Sequence, residues 1–275
     1  MITFCGLRLR HRVINGSGTF DAVAAARAFG PALRERFPFS AFVSKTITLE
    51  PRAGNPPPRL WEVPAGMVNS IGLPNKGLRG YLEHDLPELA LLPVPLITNV
   101  MGSTVGEVAA LVEAVDARPE IAAVELNVSC PNVRTGLDLG ADPGELARLV
   151  RAVRPLSAKP LVVKLTPNTA DVAAVALAAQ SEGADAVSLV NTLRAAGRGG
   201  WTGGLSGPAV RAVALAHVGA VSRRVEVPVI GMGGVQNGQH ARDLIDAGAT
   251  LVAVGTESFR DPDAGARVAA QLAGP

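Results

Sequence analysis

Cysteine is nearly missing from this chain: Cys5 and Cys130 are the only two among 275 residues. Far apart in sequence, they build no disulfide framework and cannot ligate an iron–sulfur cluster alone. Aromatics make up 4%, which argues against a base-stacking platform, and a net charge of +2 gives no case for nucleic acid or a charged membrane surface. No purely apolar run approaches the ~18 residues that a bilayer demands. The opening Met1-Ile2-Thr3-Phe4-Cys5-Gly6 is too short an apolar stretch for a signal peptide. A soluble, cytoplasmic protein in a reducing compartment is expected. Paired carboxylates and metal-ligand clusters are also missing, and His11, His84, His217 and His240 are scattered. Hydrolysis by a carboxylate pair or a bound metal is therefore disfavoured. Lysine is scarce too: of 26 basic residues only Lys45, Lys76, Lys159 and Lys164 are lysines. Two of the four nevertheless close apolar runs, Phe42-Val43-Ser44-Lys45 and Leu161-Val162-Val163-Lys164.

Apolar residues, by contrast, are plentiful at 48%, and they are organised. Short runs alternate with longer Ala/Leu/Val-periodic segments, the signature of βαβ units and a parallel sheet. The runs predict eight strands: Val13–Asn15, Ala41–Ser44, Leu96–Val100, Ala123–Val128, Leu161–Leu165, Ala186–Val190, Val227–Ile230 and Leu251–Val254. Thr104-Val105-Gly106-Glu107 has capping-box spacing ahead of a stripe of Val105, Val108, Leu111, Val112 and Val115. Asp171 opens a second periodic segment and Asp261-Pro262 reads as an N-cap with a first-turn proline. Eight such units in a chain of this size predict an α/β fold, a TIM (β/α)8 barrel, over a doubly wound sheet. No linker divides the chain, so a single domain over residues 1–275 is expected. Phe4 to Arg12 predicts a short N-terminal hairpin across the barrel's amino-terminal mouth. Arg52 to Lys76, rich in Pro and Gly, lacks helical period but carries Trp61, Met67, Val68, Ile71 and Leu73. It reads as a long loop packed over the C-terminal face.

Polar groups follow every predicted strand, as a barrel enzyme requires. They are Gly16-Ser17-Gly18-Thr19, Lys45-Thr46, Asn99, Asn127 with Cys130, Lys164, Asn191-Thr192, Gly231-Met232-Gly233-Gly234 and Gly255-Thr256. The last two loops are glycine-rich, which lets backbone N–H groups approach an anion, and Ser206-Gly207-Pro208 opens another helix beside them. The pattern points to a phosphate-anchored cofactor, amides for a planar polar substrate, and one ionisable thiol.

Five motifs then fall in order: Lys45-Thr46-Ile47-Thr48-Leu49-Glu50-Pro51-Arg52, Gly54-Asn55-Pro56, Asn69-Ser70-Ile71-Gly72-Leu73, Asn127-Val128-Ser129-Cys130-Pro131-Asn132 and Gly231-Met232-Gly233-Gly234. Together they resemble class 1 dihydroorotate dehydrogenase from about Ile14 to Phe259. Cys130-Pro131-Asn132-Val133-Arg134-Thr135-Gly136 is most similar to the catalytic subunit of the NAD-linked subclass (1B). The membrane-bound class, with its Ser base and helical extension, is less similar.

The resemblance implies an FMN flavoprotein that oxidises dihydroorotate to orotate in pyrimidine (UMP) biosynthesis. Cys130 would be the catalytic base at C5 while a hydride leaves C6 for FMN. Lys45, Asn69, Ser70, Ile71, Gly72, Leu73, Asn127, Asn191 and Thr192 would hold the substrate. Ser17, Lys45, Thr46, Asn99, Asn127, Lys164 and Val190 would contact FMN, and Gly207, Gly233, Gly234, Gly255 and Thr256 its phosphate end. It also implies a homodimer and a partner subunit carrying FAD and an iron–sulfur cluster for transfer to NAD; the residues themselves leave the acceptor open to fumarate or a soluble dye-like oxidant. Two departures stand out: the shortened stretch from Leu193 to Thr202, where relatives carry a longer insertion, and an early end at Gly274-Pro275. Two other readings remain open at this level: an FMN-dependent enzyme of another dihydropyrimidine, and a flavin-free phosphate-binding barrel isomerase.

Overall fold

Val, Ile, Leu and Ala runs buried on both faces pair in parallel only when helices cover the sheet outside, and this chain supplies both parts. A computed structural model describes residues 1–128, 140–197, 199–200 and 202–274. Its strands are β1 (Ile2–Phe4), β2 (Leu7–Leu9), β3 (Val13–Asn15), β4 (Phe42–Val43), β5 (Leu60–Val63), β6 (Gly66–Asn69), β7 (Leu96–Val100), β8 (Ile121–Asn127), β9 (Leu161–Lys164), β10 (Ala186–Leu189), β11 (Leu193–Ala196), β12 (Thr202–Ser206), β13 (Val229–Met232) and β14 (Leu251–Val254). Eight of them form a parallel sheet in the order β3-β14-β13-β10-β9-β8-β7-β4. This is the expected TIM barrel, with every expected barrel strand present.

The two ends of that order meet at a seam held by a side chain. Asn15 is fully buried; its Nδ2 donates to Val43 O at 2.8 Å and its Oδ1 accepts from Val43 N–H at 2.8 Å. Ser40 N–H adds a bond to Val13 O at 3.0 Å. A carboxamide thus replaces a rung of the ladder between β3 and β4.

Inside the barrel, Ile14, Val43, Ile97, Ala123, Val162, Ala186, Ile230 and Leu251 fill the lower layers. The β1–β2 hairpin closes the amino-terminal mouth, as its sequence predicts, by pushing Phe4 and Leu9 against that cluster. A larger apolar shell lies between the sheet and the outer helices. Thr104 caps the helix Val105–Asp116 by accepting from Glu107 N–H, and Asp171 caps Val172–Ser181 by accepting from Ala173 and Ala174. Within the predicted stripe, Val108, Leu111, Val112 and Val115 are buried.

Three expectations need correction. The Asp261-Pro262 pair does not cap the last helix, which runs Ala264–Ala273 with Asp263 at its N-cap. Asp261 accepts from Asp263 N–H and Arg267 Nε instead, forming a turn one step earlier. The seventh barrel strand begins at Val229 rather than Val227. Pro228 lacks the N–H that would extend the ladder backwards. Finally, the Arg52–Lys76 stretch is not simply loop: β5 and β6 form a hairpin within it. They join the β11–β12 hairpin, which opens in the short Leu193–Thr202 stretch and ends at Ser206, in an antiparallel sheet ordered β11-β12-β6-β5. Segments more than a hundred residues apart supply each other's backbone partners, which local periodicity does not reveal.

Replacing Asn15 with Ala strands the Val43 N–H and C=O inside the seam. Each buried group left unpaired costs about 1–3 kcal/mol, so Asn15→Ala is expected to lower the denaturation midpoint markedly. An unchanged midpoint would remove Asn15 from barrel closure.

Candidate active site

Parallel register brings the last polar residue of each central strand to one level. Asn127 is paired with Lys164, and Lys164 with Ser188. Asn127 and Lys164 are each only 6% exposed, yet both line a cavity of about 730 Å³ at the carboxyl ends of the strands. That size lies within the ~300–1,000 Å³ of ordinary ligand and cofactor pockets. Ser17, Lys45, Thr46, Asn69, Ile71, Gly72, Leu73, Val190, Asn191, Thr192, Gly207, Gly233, Gly234, Gly255 and Thr256 line it as well. The barrel and its covering sheet therefore bring nearly all of the sequence-derived site residues to one place.

Below them lies a hydrogen-bonded floor. Asn127 Nδ2 donates to Thr46 Oγ1 at 3.1 Å, and Ser17 Oγ donates to Ser44 O at 2.7 Å across the barrel seam. Ser44 Oγ accepts the Asn99 N–H at 3.1 Å. The buried Glu125 carboxylate accepts from Asn99 Nδ2 and, at 2.8 Å, from Ser188 Oγ. A carboxylate that meets two donors in this way fixes both partners' orientations. Above the floor, Val190 N–H bonds Met232 O at 3.0 Å and Asn191 N–H bonds Leu165 O at 3.2 Å, pinning the segment after β10.

Two sequence-derived residues stand apart from the cavity surface. Asn99 is fully buried beneath the floor, and its Oδ1 has no partner among the described residues. Ser70 is turned aside: Asn55 Nδ2 donates to Ser70 O at 2.8 Å and to Ser70 Oγ at 3.0 Å. Cys130 lies in 129–139, outside the described residues. The other cysteine, Cys5, belongs to a separate pocket with Arg154 and Asp185. Burial, with Asp185 adding to it, pushes its thiol up to about 11, so it is no base at neutral pH.

The segment from Ser70 to Leu73 keeps an unusual backbone. Gly72 has φ of 75° and Leu73 of 55°. A Cβ at Gly72 would stand 2.6 Å from Asn55 N, so glycine is required by both torsion and space. Asn55 N–H bonds Ile71 O at 3.0 Å and Asn75 Nδ2 bonds Leu73 O at 2.9 Å. Asn55 and Asn75 therefore brace the loop whose groups line the cavity. Asn55 stood within a recognised motif, but nothing local marked it as the brace.

One lysine of the lining is electrostatically perturbed. Lys45 is held below the ordinary lysine range, first by desolvation, with Asp21 opposing and the Arg59 guanidinium reinforcing the shift. The glycine loops of the lining pack flat: a Cβ on Gly234 would meet Arg211 Cβ at 2.7 Å, and one on Gly233 would meet Ala214 Cβ at 2.7 Å. Gly255 opens onto the cavity beside a short 3-10 turn, Thr256–Phe259, whose first N–H groups have no acceptor within the turn. Thr19, which the sequence placed after the first strand, lines the cavity too, and so do Gln236, Glu257, Phe259 and Arg260, which sequence reasoning did not assign. Gln236 Nε2 and Arg267 engage the Glu257 carboxylate at 3.1 and 3.2 Å, so it is neutralised within the protein. A glycine cradle, two ammoniums and several amides around one cavity suit a phosphorylated, ring-bearing cofactor such as FMN with a small planar substrate beside it. Among the described residues there is no group of His, Cys, Asp and Glu that could hold a metal ion, and no helix long and apolar enough to cross a membrane.

Known proteins agree with this geometry. The family model described as dihydroorotate dehydrogenase matches residues 1–274. The catalytic subunit of dihydroorotate dehydrogenase B (NAD(+)) from Desulforudis audaxviator (strain MP104C) is 45% identical over 281 residues, covering 98% of this chain and 90% of that protein. Its counterpart from Geobacter sulfurreducens is 42% identical over 284 residues, covering 98% and 91%. In three dimensions, the crystal structure of DHODH in complex with ferulenol from Eimeria tenella superposes with a TM-score of 0.83 at 22% identity, covering 98% of this chain and 82% of that one; at that identity the likeness speaks for the fold. The eight-stranded barrel, its polar-ringed cleft and these matches place the chain in the dihydroorotate dehydrogenase family.

Proposed function

We propose that this chain oxidises dihydroorotate to orotate in pyrimidine biosynthesis, with FMN as its resident cofactor and residues 1–275 acting as one barrel domain. One observation carries the reading: a single cleft joins a glycine cradle for a phosphate to a cluster of Lys45, Asn69, Asn127, Asn191 and Thr192. Bound FMN supplies the hydride acceptor. Gly207, Gly233, Gly234, Gly255 and Thr256 hold the phosphate end, and Ser17, Thr46, Lys164 and Val190 hold the ring system. Asn99 acts from beneath, through the floor it shares with Glu125 and Ser44.

At the substrate end, Lys45 and the carboxamides hold the pyrimidine ring and its carboxylate. Ile71, Gly72 and Leu73 line the same end, and Ser70 supports them through Asn55. Cys130 follows Asn127 by three residues, and its thiolate removes the C5 proton as C6 gives up its hydride. The C5–C6 single bond thereby becomes the double bond of orotate. A thiol near pKa ~8.5 is mostly protonated at neutral pH, so a neighbouring cation or exclusion of water must favour its ionised form.

The chain acts as a catalytic subunit, as its relatives are named. Its two cysteines cannot hold an iron–sulfur cluster, so FAD, the cluster and delivery to NAD fall to a separate partner. A homodimer of this chain in the cytoplasm completes the reading. Turnover with fumarate, then with NAD in the presence and absence of that partner, identifies the electron acceptor.

The purified protein is expected to be yellow and to bleach anaerobically with dihydroorotate but not with dihydrouracil. Bleaching by dihydrouracil alone would move the reading to another dihydropyrimidine, and a colourless protein that takes up no FMN would end it. Cys130→Ser should slow flavin reduction by on the order of 10²–10⁴-fold, the usual worth of a general base, with FMN still bound. Reduction at the normal rate would dismiss Cys130. Lys164→Ala should release FMN more readily in equilibrium dialysis; unchanged retention would take Lys164 out of the site.

The lowered pKa of Lys45 gives a pH test. The ammonium is present below its folded pKa and is lost as pH rises through it, earlier than for an ordinary lysine near ~10.4. Orotate affinity, followed by flavin absorbance, should therefore weaken toward alkaline pH, and Lys45→Arg, which stays charged, should flatten that profile. An identical slope in both proteins would show that Lys45 does not hold the substrate.

A further inference from the structure

Resting on that reading, we infer that Gly204 is the positioning residue for Asn69 and Thr192, with Asn168 as its brace from the opposite side. Gly204 sits within β12, paired in register with Asn69 of β6 on one side and Arg194 of β11 on the other. Its carbonyl accepts from Asn69 Nδ2 at 3.2 Å. Only the nitrogen end of a carboxamide can donate that bond, so the Asn69 oxygen is left to face the cavity that Asn69 lines.

The side chain that Gly204 lacks matters as much. A Cβ there would stand 1.9 Å from Thr192 Oγ1, 2.5 Å from Thr192 Cβ and 3.2 Å from Thr192 Cγ2, and these are its three nearest atoms. The Gly204 backbone lies outside the left-handed region, so torsion does not demand glycine here; Thr192 does. Turning the Thr192 rotamer gives no relief, because its Cβ does not move with χ1. Thr192 is seated directly on the Gly204 backbone.

Asn168 holds the same segment from the barrel side. Its Nδ2 donates to Thr192 O at 3.1 Å and to Thr166 Oγ1 at 3.0 Å, while its Oδ1 accepts from Arg194 N–H at 2.7 Å. Thr192 N–H in turn donates to Asn191 Oδ1 at 2.8 Å. One backbone position on β12 thus fixes the amide of Asn69 and the seat of Thr192. Residues that approach the cavity from two different hairpins are set at one mutual spacing by it.

The test uses the full-length protein loaded with FMN. Gly204→Ala is titrated with orotate, followed by the change in flavin absorbance, and assayed for flavin reduction by dihydroorotate. Orotate Kd and dihydroorotate KM are expected to rise by on the order of 10–100-fold, the scale of an ångström of misplacement. Flavin content, the spectrum of the orotate-free protein and the reduction rate at saturating dihydroorotate should stay at the level of the unsubstituted protein. If Gly204→Ala does not fold, Asn168→Ala, which leaves β12 untouched, decides by the same readouts. An unchanged orotate Kd overturns the inference. So does a loss of FMN in step with orotate, because that would mark a general collapse of the cleft. An unsubstituted protein that holds FMN but gives no response to orotate would instead defeat the dihydroorotate reading, and this inference with it.

Discussion

Everything at the site depends on closing the parallel sheet, and the closure rests on a side chain. Backbone ladders run through seven strand pairs, but between β3 and β4 the Asn15 carboxamide bridges to both polar groups of Val43. A carboxamide carries a donor and an acceptor like a peptide group, so it can stand in for a missing rung. The seam is also where Ser17 reaches Ser44 and Thr46. An open edge at that place would separate the residue after the first barrel strand from those after the second, and the floor of the cleft would lose one side.

On that floor the protein places charge and hydrogen bonds that a small polar ligand can use. Lys164 and Asn127 are buried from bulk solvent yet face the cavity, where reduced hydration strengthens each contact to a ligand. The Glu125 carboxylate orients Asn99 and Ser188 from below. The roof is a separate device. The four-stranded sheet β11-β12-β6-β5 carries Asn69 and seats Thr192, and a glycine lets two of its own strands close up; a Cβ at Gly66 of β6 would meet Ser206 O of β12 at 2.2 Å. The hydrogen-bonded floor and the close-fitting roof together bound the cleft.

The legibility of each feature in the sequence depends on its range. Barrel strands announced themselves because buried parallel strands need continuous apolar runs, and Thr104 and Asp171 marked helix starts through contacts three or fewer residues away. Lys45, Asn127, Lys164 and Asn191 were legible because each ends such a run. Asp261-Pro262 misled because the same residues favour a turn as readily as a cap. Asn55, Asn168 and Gly204 carried no comparable local mark, since each acts on a partner beyond its own segment. For Gly204 that partner is 135 residues away, at Asn69.

Fold class, family and the chemical types gathered around the cleft are readable along the chain, because apolar period and residue identity are local properties. Which groups touch emerges only on folding. Folding turned Ser70 toward Asn55 and put Asn99 under the floor; it also made a covering sheet from two hairpins and gave Asn15 the barrel seam. Those outcomes depend on which distant backbone groups find each other, and hydrogen-bond pairing across a closed sheet is not written in any one stretch of residues.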